Sequence, residues 1–341
     1  MVSDAVYEAA RRRAAMIDRG QRGRLFVSGP DRASYLQGLL TNDIAALRPG
    51  LGCYAAYLTP QGRMITDLLV YELGDRILLS LPIQTRQAVF TRFSDFIFTE
   101  DVVVADATET LAAVGIVGPD AAERLGGICG GAAREALARL PEHGNAALDC
   151  ALRGASSGRA IVARTTDAGE PGFDVYLEPL DARTLAARLA DEGIPIVDAE
   201  TAEAIRIEAG VPLFGRDMDD ETIPLEAGIE SRAVSFTKGC YVGQEVIVRV
   251  LHRGHGRVAR KLGGVTMQQS TGGTGSSIPR AGAPVRMDER EVGHVTSATW
   301  SPSLNRPIAL AYLHRDVLTA GTAVSVDGVG GVVTSLPFVS Q

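Results

Sequence analysis

The chain has 341 residues, enough for two or three domains with a sizeable core. At 45% apolar and 22% charged residues it is not a disordered, collagen-like or coiled-coil chain. Lys plus Arg number 34 against 41 Asp plus Glu, a net charge of −7 that argues against a globally basic nucleic-acid binder.

The N-terminus, MVSDAVYEAARRRAAMIDRGQRGRL, has arginines but no apolar signal-peptide core, and its acids do not suit a transit peptide. Its apolar spacing predicts a short amphipathic helix. Residues 24–29 read as a strand ending at Gly29, and Gly29-Pro30-Asp31 opens a helix carrying Tyr35, Leu36, Leu39 and Leu40 on one face. Residues 52–59 and 64–73 are β-rich and flank Pro60-Gln61-Gly62-Arg63, which predicts a hairpin. Arg76–Leu81 reads as a strand and 84–98 as a helix. A strand over 112–118, a helix from Pro119 through Leu125, strands at 161–164 and 173–177 and helices over 181–192 and 200–208 follow, with 126–131 and 154–159 read as loops. Residues 263–284, rich in Gly, Ser and Thr, predict a flexible loop or hairpin tip. Beyond them, short β-like runs at 284–287, 291–299, 308–313, 323–326 and 331–335 predict a small barrel or sandwich.

No segment approaches 18 consecutive apolar residues, so no transmembrane helix is expected and the default compartment is a reducing cytoplasm. The four cysteines, Cys53, Cys129, Cys150 and Cys240, contain no CxxC pair. That disfavours a disulfide-stapled scaffold, a zinc ribbon and an iron–sulfur cluster site. His252 and His255 share a short spacing, but no carboxylate or Cys stands at ligand distance in sequence, and no metal is expected.

The segment richest in chemistry is KGCYVGQE, residues 238–245. Cys240 lies two residues after Lys238 and just before an element that begins near Gly243. A thiol beside an ammonium and near a helix N-terminus is expected to be activated toward thiolate. Arg249, His252, Arg253, His255, Arg257, Arg260 and Lys261 then make a locally basic stretch, which suits an anion, a polyglutamate, RNA or an acidic partner. No base-stacking aromatics interleave it.

KGCYVGQE resembles the K-G-C-[FY]-x-G-Q-E signature of the YgfZ family, folate-binding proteins that support iron–sulfur enzymes and are related to the T-protein (aminomethyltransferase) of the glycine cleavage system. Residues 27–50, 59–71 (TPQGRMITDLLVY), 203–216 (EAIRIEAGVPLFGR) and 223–228 (IPLEAG) extend the resemblance over most of the chain. It implies an α+β fold: two α+β subdomains forming a folate-binding body over residues 1–248, with roughly 35–110 inserted in the rest, and an all-β C-terminal barrel over 249–341. It implies tetrahydrofolate or a derivative as cofactor. It also implies roles for particular residues: Cys240 as the reactive thiol, and Asp67 at the hairpin where the T-protein carries its catalytic aspartate near the folate nitrogens. Arg206 and Glu208 would border the folate. Asp174 falls where the T-protein has a pteridine-reading Glu, one methylene longer. Lys238, Gly239, Tyr241, Gln244 and Glu245 complete the signature. The T-protein's C-terminal arginine has no counterpart in VDGVGGV at 326–332.

The expected function is a tetrahydrofolate-binding accessory protein for iron–sulfur cluster assembly or repair, with transient iron–sulfur client or assembly proteins as partners and no membrane contact. Two alternatives stand beside it. One is an aminomethyltransferase passing a one-carbon unit to tetrahydrofolate, kept open by Asp67. The other is a factor linked to tRNA modification through the basic stretch.

Overall fold

The computed structural model describes residues 2–153, 156–253, 257–268 and 278–340. His255 and residues 269–277 of the Gly/Ser/Thr stretch lie outside the described residues, as do the side chains of His252 and Arg253.

Helix α1 (Asp4–Arg12) leads into β1 (Ala15–Asp18), which turns at once into β2 (Arg22–Ser28). Helix α2 (Arg32–Leu39) is followed by the meander β3 (Gly52–Leu58), β4 (Met64–Glu72) and β5 (Arg76–Pro82), then by α3 (Ile83–Asp95) and β6 (Val103–Asp106). Next come β7 (Ala112–Val117), α4 (Ala121–Cys129), α5 (Gly131–Arg139), β8 (Asn145–Arg153), β9 (Ser156–Thr165), β10 (Gly172–Leu177), α6 (Pro179–Asp191) and α7 (Ala199–Glu208). The short turns α8 (Pro224–Ala227) and α9 (Glu230–Ala233) precede α10 (Gln244–Arg253). The chain ends in β11 (Arg260–Met267), β12 (Pro284–Met287), β13 (Arg290–Ser301), β14 (Arg306–His314), β15 (Ala323–Val326) and β16 (Val329–Thr334).

These strands make two five-stranded sheets, ordered β1-β7-β10-β9-β8 and β3-β4-β5-β2-β6, and a closed barrel ordered β11-β14-β13-β12-β15-β16. The architecture is the expected one: a mixed α/β body with a C-terminal all-β barrel. Strand alternation explains how the sheets are stacked. Along β4, Leu68 and Val70 pack with Leu36, Leu39, Val89 and Phe93 of α2 and α3. Leu69 and Tyr71 point the other way, into a cluster that also holds Ala163 and Tyr176 of the first sheet. In β10, Phe173, Val175 and Leu177 pack on Leu125 of α4 and Leu185 and Leu189 of α6. Each sheet therefore carries helices on one face and turns its other face toward the other sheet. Asp67, in step with Leu69 and Tyr71, belongs to that inner face. So does Asp174, in step with Tyr176.

Several local expectations are corrected. Residues 126–131 are not a loop, because α4 runs to Cys129 and α5 starts at Gly131. Residues 156–159 belong to β9, while 154 and 155 lie outside the described residues; Met16 and Ile17, whose apolar spacing suited the N-terminal helix, lie in β1 instead. Residues 263–267 are strand, not loop; Gly264 is there because a Cβ would stand 2.7 Å from the Phe338 ring. Cys129 and Cys150 form a disulfide between the end of α4 and β8. A disulfide is unusual in a reducing cytoplasm, so this pair runs against the default compartment. No helix among the described residues is long and apolar enough to cross a membrane.

Candidate functional site: a charged cluster between the sheets

The link between β1 and β2 carries the chain from the first sheet to the second, and it places Arg19 and Arg22 in the gap. Arg19 donates through Nε to Asp174 Oδ1 (2.6 Å) and through Nη2 to Asp167 Oδ1 (2.7 Å). Arg22 is fixed on β5, donating from Nε to Ser80 Oγ (2.8 Å) and from Nη2 to the Ser80 carbonyl (2.6 Å). Its Nη1 lies 3.6 Å from Asp167 Oδ2. From the facing side of β3, Tyr54 donates its hydroxyl to Asp67 Oδ2 at 2.8 Å. Asp67 Oδ1 and the Tyr71 hydroxyl are buried and, among the described residues, have no hydrogen-bond partner.

The electrostatics follow from two guanidinium groups facing three carboxylates in a poorly solvated gap. Burial pushes Asp67 up from the usual carboxylate range, while the Arg22 charge and the Tyr54 hydroxyl pull it back. Burial likewise raises Asp174 despite Arg19. For Asp167 burial is outweighed by Arg19 and then Arg22, which hold it at about 2. Burial raises Tyr54 and Tyr71 well above the ordinary phenol value, so both remain hydroxyl donors at neutral pH. Such a set suits a heterocycle with N–H donors that gains positive character. A carboxylate oxygen with free lone pairs is available to it, and the neighbouring donors stay protonated. An N–H-rich folate ring fits the unpaired Asp67 oxygen. Asp174 fits less well, since Oδ1 already accepts from Arg19 and the Tyr176 hydroxyl sits 3.4 Å from Oδ2.

Arg206 and Glu208 are not at this gap. Arg206 donates to Asp217 Oδ2 (2.7 Å), the Val211 carbonyl (2.5 Å), Ser297 Oγ (3.0 Å) and, from two nitrogens, Glu203. Glu208, fully buried, accepts from the Tyr7 hydroxyl (2.6 Å), Arg11, the Ser301 hydroxyl and the Ser303 N–H (3.3 Å). Both residues therefore tie α7 to the barrel and α1, and their polar capacity is taken up by the protein. The resemblance set them beside a ligand; in the structure their polar atoms are bound by Glu203, Asp217 and Ser297 and by Tyr7, Arg11 and Ser301.

The KGCYVGQE segment is held from inside. Lys238 donates to the carbonyls of Gln37, Leu40 and Asn42, each at 2.7 Å, and so caps the C-terminal end of α2. Its burial there pulls the ammonium down to about 8. The expected Lys238–Cys240 pairing is replaced by this inward cap. Gly243 has φ +84°, and a Cβ on it would stand 2.5 Å from the Thr59 carbonyl. The segment thus packs directly on the 60–63 hairpin tip whose strand carries Asp67. Tyr241 is buried in the same apolar cluster as Tyr54, and burial pushes its hydroxyl to about 12. Gly239 and Glu245 are exposed and Gln244 half-buried. Cys240 is an exposed free thiol; Cys53, the other free one, is half-buried and pushed up to about 12 by burial. In the basic stretch, Arg260 and Lys261 pair with Glu226 (3.5 Å) and Glu230 (2.7 Å).

The sequence reading missed Arg19, Arg22, Tyr54, Tyr71 and Asp167. Tyr71 was within reach, because residues i and i+4 of a strand share a face and the hairpin was correctly predicted. The arginines had no signal, since only the stacking of two sheets brings them to Asp67. A cleft of about 620 Å³ near the barrel includes Gly210, Gly228, Arg232 and Lys261 in its walls. The Arg232 guanidinium stacks over Tyr54 at 5.3 Å, which connects the cleft wall to the Asp67 site.

Comparison with known proteins agrees with this layout. Residues 2–238 match the GCVT N-terminal domain family and residues 260–339 the glycine cleavage T-protein C-terminal barrel domain. The aminomethyltransferase of Rubrobacter xylanophilus is 35% identical over 312 residues, covering 91% of this chain and 78% of that protein. That of Geobacillus kaustophilus is 33% identical over 331 residues, covering 94% and 85%. Among solved structures, the glycine cleavage system aminomethyltransferase T from Bartonella henselae superposes with a TM-score of 0.84 at 25% identity, covering 99% of this chain and 89% of that one.

Proposed function

Because this chain belongs to the glycine cleavage T-protein family, we propose that it is a tetrahydrofolate-dependent one-carbon transferase of the aminomethyl type, with Asp67 at the reacting position. The observation that carries the reading is the buried, unpaired Asp67 Oδ1 on the inner face. Tetrahydrofolate, when bound, supplies the nitrogen that takes up the one-carbon unit. Asp67 offers a carboxylate to an N–H or to positive charge developing beside it. Tyr54 orients that carboxylate through Oδ2. Tyr71 offers a second hydroxyl without a partner among the described residues, and the apolar walls around Leu69 and Tyr176 exclude water. Isothermal calorimetry should register saturable binding of tetrahydrofolate; absence of heat at millimolar ligand would remove the reading.

A second reading is supported by one feature the first does not use, the exposed Cys240 on a loop fixed by Lys238 and Gly243. In it the protein is a folate-binding accessory factor for iron–sulfur enzymes, like the YgfZ family its signature resembles. An accessible thiol should react faster than a buried one with a raised pKa. Iodoacetamide is expected to modify Cys240 at least ~10-fold faster than Cys53, with Cys129 and Cys150 labelled only after reduction. Equal rates at Cys240 and Cys53, read by peptide mass spectrometry, would count against this reading.

A further inference from the structure

We propose that Arg22 is the positioning residue of the inter-sheet site, a guanidinium clamped on β5 that holds a fixed positive charge on the face carrying Asp67; the inference rests on the folate reading above and names a charge that reading does not use. The register supplies the geometry. Arg22 is opposite Pro82 and Leu69 is opposite Ser80. Ser80, which holds the Arg22 guanidinium, is thus opposite Leu69, and Leu69 is in step with Asp67 on the same inner face. The guanidinium cannot swing away, because Nε and Nη2 are both fixed on Ser80. Its third nitrogen is the one near Asp167. Arg22 therefore stands in the gap as a fixed positive charge, while Asp67 Oδ1 has no hydrogen-bond partner among the described residues.

The groups facing Asp67 are few and of known sign; Tyr71, in step with it on β4, contributes a hydroxyl that burial keeps neutral. Tyr54 on β3 donates to Oδ2, and Arg232 of α9 stacks on that ring. Arg22 of β2 favours the carboxylate and Asp167, after β9, disfavours it. Arg19, Asp174 and Tyr176 complete the opposite wall and are paired among themselves. Arg22 is the largest charge opposing the effect of burial on Asp67. Without it the carboxyl should hold its proton toward neutral pH and lose its ability to accept from a ligand N–H.

The test follows the Asp67 carboxyl by ¹³C NMR in the ligand-free protein, assigned with Asp67→Asn, and separately measures tetrahydrofolate affinity from pH 5.5 to 8.5. Arg22→Gln keeps a donor for Ser80 and removes the charge. It should raise the Asp67 midpoint by about 1–3 pH units and weaken tetrahydrofolate binding by about tenfold or more at pH 6, with recovery at pH 8.5. Arg22→Lys should stay near the wild type. Asp167→Asn should move the midpoint the other way, downward, and serves if Arg22→Gln does not fold. An unmoved midpoint, or a loss of affinity equal at every pH, overturns the proposal. The stated midpoint shifts in the variants, together with no tetrahydrofolate binding by the wild type, would overturn the folate reading while the carboxylate titration upholds the Arg22 assignment.

Discussion

Asp67→Asn is expected to weaken tetrahydrofolate binding by roughly 10–100-fold, the worth of one charge-assisted hydrogen bond, and to leave the folded protein as stable as before or more so. The two parts have one cause. Asn keeps the size of Asp67 and an oxygen for the Tyr54 hydroxyl, but it carries no charge. In the wild type a carboxylate sits in the gap with one oxygen unpaired, and burial raises its pKa. An acid whose folded-state pKa lies above the unfolded value destabilises the fold once the pH passes that unfolded value, and the penalty is complete above the folded one. At pH 7 the wild type carries this penalty and Asp67→Asn escapes it. Below the unfolded-state pKa both chains are neutral there and the difference vanishes. A structural aspartate gives the opposite sign, since its loss would lower the melting temperature. Calorimetric titration with tetrahydrofolate, set beside thermal melts at pH 7 and pH 3.5, separates the two. A lower melting temperature with unchanged affinity would move Asp67 out of the site. Stability yielded at a site that binds a ligand is a common trade in enzymes.

The secondary structure was mostly readable because strand alternation and helical spacing are local. The β3–β4 hairpin, α7 and the short barrel strands all lie where their patterns put them. Glycine misled at 263–264, where it marks close approach of Phe338 and not a loop. The site was legible only where one strand carried it. Asp67 could be named from its hairpin, but Arg19 and Arg22 come from the β1–β2 link and the start of β2 and Asp167 from the turn after β9, and no local pattern joins them. Where resemblance supplied residues without geometry, it gave Arg206 and Glu208, whose buried charges are already neutralised by neighbouring chain segments. A short segment can also be chemically suggestive for the wrong reason. Lys238 stands two residues from Cys240, yet its ammonium serves the end of α2.

Arg206 offers the sharpest separation of a binding role from a structural one. Its guanidinium joins α7, the 211–217 loop and β13 through Glu203, Val211, Asp217 and Ser297. Asp217 is fully buried, and Arg206 is its cationic partner at 2.7 Å. Arg206→Met keeps most of the volume and the apolar stem but leaves Asp217 as a buried charge with, among the described residues, the Leu213 N–H and the Thr296 hydroxyl to bind it. Removing one member of a buried pair costs about 3–5 kcal/mol, chiefly through the charge left behind. Denaturant unfolding should show a loss of that size. Part of it should be restored by Arg206→Met combined with Asp217→Asn, because the double change removes the stranded charge. Tetrahydrofolate affinity, measured well below the unfolding transition, should stay within about threefold of the wild type, less than the tenfold that one lost hydrogen bond of about 1.4 kcal/mol would cost. The reverse pattern, intact stability with lost binding, would return Arg206 to the ligand. It would also mean that the contacts around Asp217 loosen to admit one, since the guanidinium has no free nitrogen to offer while they hold.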